Sequence, residues 1–588
     1  MDSKHVTEST SGQEDIQKTW WKEAIIYQIY PRSFQDSDGD GIGDLNGITS
    51  RLDYIQSLGV DIIWLNPIFL SPNDDNGYDI SDYREIMREF GTMEDFDRLL
   101  KEIHKREMRL VLDLVVNHTS DEHPWFEEAR KSRHNPYYNY YHWWPAEKGE
   151  PPLRLSYFDE EGNAWMYNKS TDSYYLHYFS RKQPDLNWEN PEVRQEIFDM
   201  MRFWFDKGID GFRMDSISLI AKDPSFPLID SKKYPDIFSF YAKEPRLHLY
   251  LHEMNRQVLS KYDCMSVGEG SAVMVDDVAK FVDPAREELN MLYHFDAARI
   301  RNTTLPDNPE SGIDYSLIAL KKMFTEWDKA VDKGWPSIYL GNHDQPRMVS
   351  RFGSDKDEFR ALSAKMLITF LLTMRGTPYW FAGDEIGMRN IRFDHIEDYN
   401  DIDTINRYKK AKAEGKDPQA VLDEQKETGR DNARTPFQWD RSPETGFTAG
   451  TPWLKVNPDY TWINVADEEK DPTSILNYFK KVVSFRKENP SLIYGSYHLL
   501  DAENPQSYTF LRKTGADTYL IMLNFSPKAA ISTPGIDMSN AHVLLDNYGD
   551  RSHMAPQKDI TLRPFEAIVF QLNHPVYESF IDSLDLLE

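Results

Sequence analysis

Two carboxylates in this 588-residue chain stand where acid–base chemistry is expected. In Gly211-Phe-Arg213-Met-Asp215 a guanidinium and a carboxylate lie two residues apart. On a strand both point to one face while Phe212 and Met214 pack on the other. The spacing predicts that Arg213 keeps Asp215 ionised, as a nucleophile requires. In Val267-Gly-Glu269 the acid follows a small residue, which suits a poorly solvated niche and a raised pKa. One ionised and one protonated carboxyl is what glycoside cleavage needs, and a separation of ~5 Å gives retention through a covalent intermediate. For any single Arg-x-Asp an ordinary ion pair is the better reading, so the pattern gains weight only from its surroundings.

Those surroundings are strand ends. From Trp20 to about Asp384, short β-branched runs alternate with amphipathic helical patterns, as in βαβ units of a parallel sheet. Val60–Leu65 reads as a buried strand. Thr92 then caps a helix with Phe96, Leu99, Leu100 and Ile103 on one face, and Leu110–Val116 returns as a strand. Further strands are expected at Ile209–Met214, Met265–Val267, Ser337–Leu340 and Pro378–Phe381. So many units imply a closed barrel or a large open sheet. Polar clusters close four strands: Asp113 to His118, Arg213 to Asp215, Glu269, and Asn342-His343-Asp344. In a (β/α)₈ barrel such ends form the active-site face.

Two stretches break the rhythm. Between His118 and Gln183 lies an aromatic, irregular segment too long for an ordinary loop, expected to be a small domain over the barrel mouth. From about Tyr497, short alternating strands predict a C-terminal antiparallel β-sandwich. The division expected is a disordered lead over 1–19, the barrel over 20–118 and 185–496, the inserted subdomain over 119–184, and the β domain over 497–588. The charged, helix-prone stretch Asp401–Lys426 reads as a solvated surface hairpin.

A formal charge of −29 disfavours nucleic acid and anionic membrane partners, which it would repel. The most apolar run, Met366–Met374, is half the ~20 residues of a membrane span. With Cys264 as the only cysteine, no intramolecular disulfide forms, which fits a cytoplasmic location. The expected partner is a small neutral molecule, with the chain a monomer or weak homo-oligomer.

Taken in order, the four strand ends resemble the sequence regions of the α-amylase superfamily, glycoside hydrolase family 13. Gln183-Pro-Asp-Leu-Asn187 resembles the extra region of its oligo-1,6-glucosidase and α-glucosidase subfamily. The resemblance runs from Trp20-Trp-Lys-Glu-Ala and Tyr27-Gln-Ile-Tyr-Pro to Arg434-Thr-Pro-Phe-Gln-Trp439 and the C-terminal domain. It implies a (β/α)₈ TIM barrel and hydrolysis of short α-glucosides from the non-reducing end. It makes Asp215 the nucleophile, Glu269 the acid/base and Asp344 the third carboxylate. Arg213 supports Asp215, while His118 and His343 bind the glucose. Asp75 and Tyr78 form the pocket floor, Arg434 pairs with Asp75, and Phe179 lines the sugar site. Ser216, after the nucleophile, borders the leaving-group site. In the subfamily valine there goes with α-1,6 bonds and threonine or alanine with α-1,4, so a small polar serine implies broad linkage tolerance.

Asp36-Ser-Asp38-Gly-Asp40-Gly-Ile42-Gly-Asp44 spaces its carboxylates like the front of an EF-hand loop, but Gly47 stands where the bidentate Glu belongs. By resemblance the four aspartates and the Ile42 carbonyl hold a structural Ca²⁺, with Mg²⁺ as the alternative. A rival reading is a transglycosylating relative such as a sucrose isomerase or trehalose synthase. Sucrose isomerases carry an Arg-Leu-Asp-Arg-Asp-like loop where this chain has Arg299-Ile-Arg-Asn-Thr303, so hydrolysis is favoured. A non-catalytic binding protein like transporter heavy chains would need a membrane span and no carboxylates.

Overall fold

The structure, a computed structural model, describes residues 18–158, 163–230, 232–233, 237–296, 316–515, 517–539, 541–551 and 558–572. Its centre is a parallel sheet of eight strands: β1 (Ile26–Ile29), β2 (Ile62–Leu65), β3 (Arg109–Val115), β4 (Gly211–Asp215), β5 (Met265–Gly270), β6 (Met291–His294), β7 (Ser337–Ile338) and β8 (Thr377–Phe381). They run in the order β6-β5-β4-β3-β2-β1-β8-β7. The edges β6 and β7 then meet: Ser337 Oγ donates to the Leu292 carbonyl at 2.7 Å, and Tyr293 stacks on Tyr339 at 3.9 Å. That contact curls the sheet into a (β/α)₈ barrel.

Alternation along each strand sorts the side chains. Ile26, Ile62, Trp64, Val111, Met265, Val267, Met291 and Tyr293 fill the interior. Tyr27, Ile63, Leu65, Leu110, Leu112, Phe212 and Met214 face the surrounding helices. One of these, α1 (Met93–Lys105), starts on a capping box between Thr92 and Asp95 and buries Phe96, Leu99, Leu100 and Ile103. Strand register then places the chemistry. Val111 pairs with Gly211 and Asp113 with Arg213, while Val267 pairs with Arg213. Asp113, Arg213, Asp215 and Glu269 therefore share the interior face at the C-terminal end.

The strands β1 and β6 are additions to those read from sequence. Both carry polar or aromatic residues that blur the apolar run, such as Gln28 and His294. Among the described residues no helix is long and apolar enough to cross a membrane. Trp143–Pro145, Trp165–Asn168 and Ser173–Leu176 form a three-stranded sheet after β3. Beyond the barrel, β9 (Ser496–Leu500), β10 (Ser507–Thr514), β11 (Asp517–Asn524), β12 (His542–Asp546) and β13 (Ala567–Leu572) form an antiparallel sheet in the order β9-β10-β11-β13-β12. A two-stranded sheet accompanies it. Most of the lead over 1–19 and the Arg299–Thr303 comparison lie outside the described residues.

The charged stretch after β8 differs from expectation. It forms two helices, α2 (Ile402–Ala413) and α3 (Pro418–Thr428), but it is not merely a solvated hairpin. Asp403, Arg407, Glu424, Gln425 and Thr428 line the central cavity. Asp431 holds the hairpin base by accepting from the Asn400 and Asp401 amides at 2.7 and 2.9 Å.

Candidate active site

A cavity of about 450 Å³ opens at the C-terminal end of the barrel. Asp75, Tyr78, His118, Phe179, Asp215, Ser216, Glu269 and Asp344 line it. Arg213, His343 and Arg434 stand behind this wall, each almost fully buried. Tyr157, Phe158 and Phe238 complete an aromatic side with Phe179, and α2 and α3 add charged residues to the lining.

Arg213 is the electrostatic centre. Its Nη1 donates to Asp113 at 2.7 Å and to Asp215 at 2.8 Å, and its Nη2 donates to Glu269. One cation thus faces three carboxylates, all buried, and ionising all three would leave uncompensated charge. Burial pushes Asp215 up to about 6, against the pull of Arg213. It pushes Glu269 up to about 8, again against Arg213, with Asp215 and Asp344 adding to the rise. Desolvation outweighs a guanidinium shared three ways, so Asp215 stands above the ordinary carboxylate range even beside Arg213. The two carboxyls also lie close enough to act on each other, which adds to the rise of Glu269.

Asp344 differs in kind. Burial opposes its charge, but Arg434 at 3.0 Å and Arg430 at 3.4 Å outweigh burial and hold it well below the usual carboxylate range. His343 also lies 3.1 Å from Asp344, yet burial lowers the imidazole to about 3. A neutral ring contributes no positive charge, so the arginines carry the effect. The amide of Gln28 lies 2.9 Å from His343 Nδ1, which assigns the proton to Nε2, 2.6 Å from the Tyr78 hydroxyl. Tyr78 donates onward to Asp113 at 3.1 Å. Both nitrogens of His343 thus have protein partners, so it meets a sugar only by exchanging one. His118, also kept neutral by burial, faces the cavity beside Phe179 at 5.1 Å.

The pairing of Arg434 with Asp75 is corrected. Arg430 approaches Asp75 at 3.5 Å, and it also contacts Asp344 and Asp401. Arg434 donates instead to the His343 carbonyl at 2.9 Å and to Asp344. The two arginines are four residues apart, one helical turn, so sequence alone could not say which reaches the cavity. Burial pushes Asp75 up to about 7 despite Arg430 and Arg434.

Away from the cavity, Asp36, Asp38 and Asp40 bring carboxylate oxygens within 4.8 Å of one another. Gly41 has φ +94°, and a Cβ there would lie 1.8 Å from the Thr451 carbonyl, so the loop requires glycine. Asp44 stands outside this set. It caps the short helix Leu45–Ser50 through the Gly47 amide and accepts from Ser37, because exposed amides at a helix start compete for its oxygens.

The chain belongs to the α-amylase family, whose catalytic-domain model, described as alpha amylase, catalytic domain, matches residues 28–495. It is a glycoside hydrolase of the oligo-1,6-glucosidase group. It is 51% identical over 571 residues to the oligo-1,6-glucosidase of Parageobacillus thermoglucosidasius, covering 95% of this chain and 100% of that protein. It is 43% identical to the trehalose-6-phosphate hydrolase of Bacillus subtilis (strain 168), covering 95% and 99%. Among solved structures, the isomaltulose synthase of Klebsiella sp. LX3 superposes with a TM-score of 0.90 at 42% identity, covering 95% and 100%.

Proposed function

We propose a retaining, exo-acting α-glucosidase of short α-glucosides, with Asp215 as nucleophile and Glu269 as acid/base. The observation that carries the reading is the pair of buried carboxyls on one guanidinium, their pKa values pushed apart to about 6 and about 8. Between those values the pair holds one proton, on Glu269. In the first half-reaction Glu269 gives that proton to the glycosidic oxygen as the C1–O bond breaks and Asp215 Oδ bonds C1. In the second, water attacks C1, its proton passes to Glu269, and the C1–Asp215 bond breaks. Asp344, Asp75, Arg430 and His118 bind the glucose hydroxyls. Tyr78 and Phe179 offer apolar ring faces to the sugar, while Arg213, His343 and Arg434 hold these groups from behind.

The cavity at the barrel mouth suits a short glucoside, and the 51% identity to an oligo-1,6-glucosidase supports α-1,6 linkages among the substrates. A second reading, transglycosylation, draws support from the isomaltulose synthase likeness. Product profiles on isomaltose, maltose, sucrose and trehalose, with the released anomer followed by NMR, separate the two. Release of α-glucose supports hydrolysis, and isomerised sucrose as the main product overturns it. A structural Ca²⁺, with Mg²⁺ as the alternative, fits the hard oxygens of Asp36, Asp38, Asp40 and the Ile42 carbonyl. Asp44 joins them only through lone pairs its capping role leaves over. The single cysteine suits a cytoplasmic location, and a monomer or weak homo-oligomer is the state proposed.

A further inference from the structure

The two oxygens of Glu269 have different surroundings. Oε2 faces the Arg213 guanidinium and the Ser216 amide at 3.3 Å, and both are obligate donors. Oε1 faces the hydroxyl of Ser271 at 2.8 Å. A hydroxyl either donates or accepts, whereas a guanidinium and an amide only donate. A proton on Oε2 would confront two donors, so Oε1 is the oxygen that can hold it. Ser271 is itself anchored. Its carbonyl accepts from Ser218 Oγ at 3.1 Å, which ties the turn after β5 to the turn after β4. Ser216 and Ala272, on those turns, sit at φ +43° and +56°, a conformation that side chains other than glycine adopt only when held there.

Resting on the assignment of Glu269 as acid/base, we propose that Ser271 is a positioning residue of the reaction, whose hydroxyl holds Glu269 Oε1 in both of its protonation states. In the resting enzyme Ser271 Oγ accepts from Oε1–H. When Oε1 gives its proton to the glycosidic oxygen, as C1–O breaks and C1–Oδ of Asp215 forms, the hydroxyl rotates and donates to the new carboxylate. Attack of water on C1 returns a proton to Oε1, and the hydroxyl turns back. Other groups also set the charge of Glu269: Arg213 and Asp215 on β4, Asp113 on β3, and Asp344 and Tyr339 after β7. None of these acts on Oε1 through a reversible hydroxyl.

The test is the pH profile of kcat/KM on p-nitrophenyl α-glucoside and isomaltose for the full chain and its Ser271→Ala, Ser271→Cys and Ser271→Thr variants. Ser271→Ala loses both bonds, and because the one to the charged carboxylate is the stronger, its alkaline limb should move up by about half to one pH unit. Its kcat on isomaltose should fall about ten-fold with KM little changed. Ser271→Cys, a weaker donor, should shift the limb the same way by less, and Ser271→Thr should restore it. An alkaline limb that stays in place in both Ser271→Ala and Ser271→Cys overturns the proposal. Glu269→Gln distinguishes the two levels. If it keeps the alkaline limb, the assignment of Glu269 falls and the role of Ser271 with it. If it loses the limb while the Ser271 variants keep theirs, only the role of Ser271 falls.

Discussion

Three carboxylates around one guanidinium make the site a proton-counting problem. Asp215 must be ionised and Glu269 protonated, and burial raises both, Glu269 further. Below about pH 6 the nucleophile takes up a proton and above about pH 8 the acid loses its own, so kcat/KM should be bell-shaped with limbs near those values. The sequence alone suggests a window of about pH 5.5 to 7.5. The higher window comes from burial, which strand spacing does not reveal. A profile whose acid limb lies near pH 4 would show Asp215 to be solvated and the burial argument mistaken. Asp215→Asn and Glu269→Gln should each fold and lose roughly 10⁴-fold in kcat on isomaltose, since each removes one half of a concerted pair. Near-normal turnover in either would remove that residue from the reaction. At this scale the chemistry was legible where period-2 spacing put Arg213 and Asp215 on one face. It was not legible for Arg430, where two arginines on one helical turn offered the same charge to the same acid. The corrected pairing predicts different outcomes for the two. Arg430→Ala should chiefly raise KM, because Arg430 spans Asp75 and Asp344 at the cavity edge. Arg434→Ala leaves Asp344 to Arg430 alone and the buried His343 carbonyl without its donor, and should cost about 1–3 kcal/mol of stability. A stable Arg434→Ala variant with a large KM defect would reverse the assignment.

At the scale of elements, the turns and helices beyond the strand ends shape the cavity. Ser216 occupies the first turn beyond β4 at φ +43° and lines the cavity, on the side proposed for the leaving group. A valine placed there narrows that side and should move kcat/KM toward isomaltose relative to maltose. It should also lower the melting temperature, because a β-branched residue is strained at positive φ, at a cost of about 1–2 kcal/mol. Unchanged linkage ratios would mean that Ser216 does not border the leaving group. The hairpin of α2 and α3 presents Arg407 to the cavity, where it pairs with Glu424 at 2.7 Å. Arg407→Ala should raise KM for disaccharides several-fold and leave kcat within about two-fold, as expected for a group that binds substrate and transition state alike. A fall in kcat at constant KM would place Arg407 closer to the reacting bond. The hairpin's helices were legible from composition, but their place at the cavity was not. Charged residues on a short amphipathic helix look the same whether they face solvent or a polar pocket, and only the Asp431 anchor distinguishes the two.

The whole molecule depends on polar groups at its joints as well as on the barrel core. Most of the barrel was legible because its buried strands are apolar runs with polar ends. The joint between barrel and β domain was not, because the sequence around it shows only isolated arginines. The loop of Asp36, Asp38 and Asp40 lies away from the cavity, so stripping a bound divalent ion with a chelator should lower the melting temperature more than it lowers the turnover of still-folded enzyme. Immediate loss of turnover at unchanged stability would give the ion a catalytic role. The joint to the β domain is built from arginines instead. Arg486, on the helix Ile475–Glu488, and Arg512, on β10, are fully buried, and neither ion-pairs with a carboxylate among the described residues. Arg486 donates to the carbonyls of Leu372, Met374, Leu492 and Gly376. Arg512 donates to those of Thr373, Leu492, Ile493 and Gly495. Leu372, Thr373 and Met374 end the helix Arg360–Thr373, where carbonyls lack partners along the helix and carry its partial negative charge. Burial depresses both arginines, Arg486 to about 9, and Arg486 adds to the fall of Arg512, while a ring of carbonyl dipoles around each takes the place of water. Replacing Arg512 with methionine keeps much of the volume and leaves four carbonyls with fewer donors, at about 1–3 kcal/mol for each one left unpaired in the interior. The variant should therefore melt well below the wild type and lose activity faster on heating, while kcat/KM of the folded fraction stays within about two-fold because the site lies at the other end of the strands. An unchanged melting temperature would show that the β domain is held by its apolar contacts alone. A loss of kcat/KM in folded protein would show that the joint shapes the site.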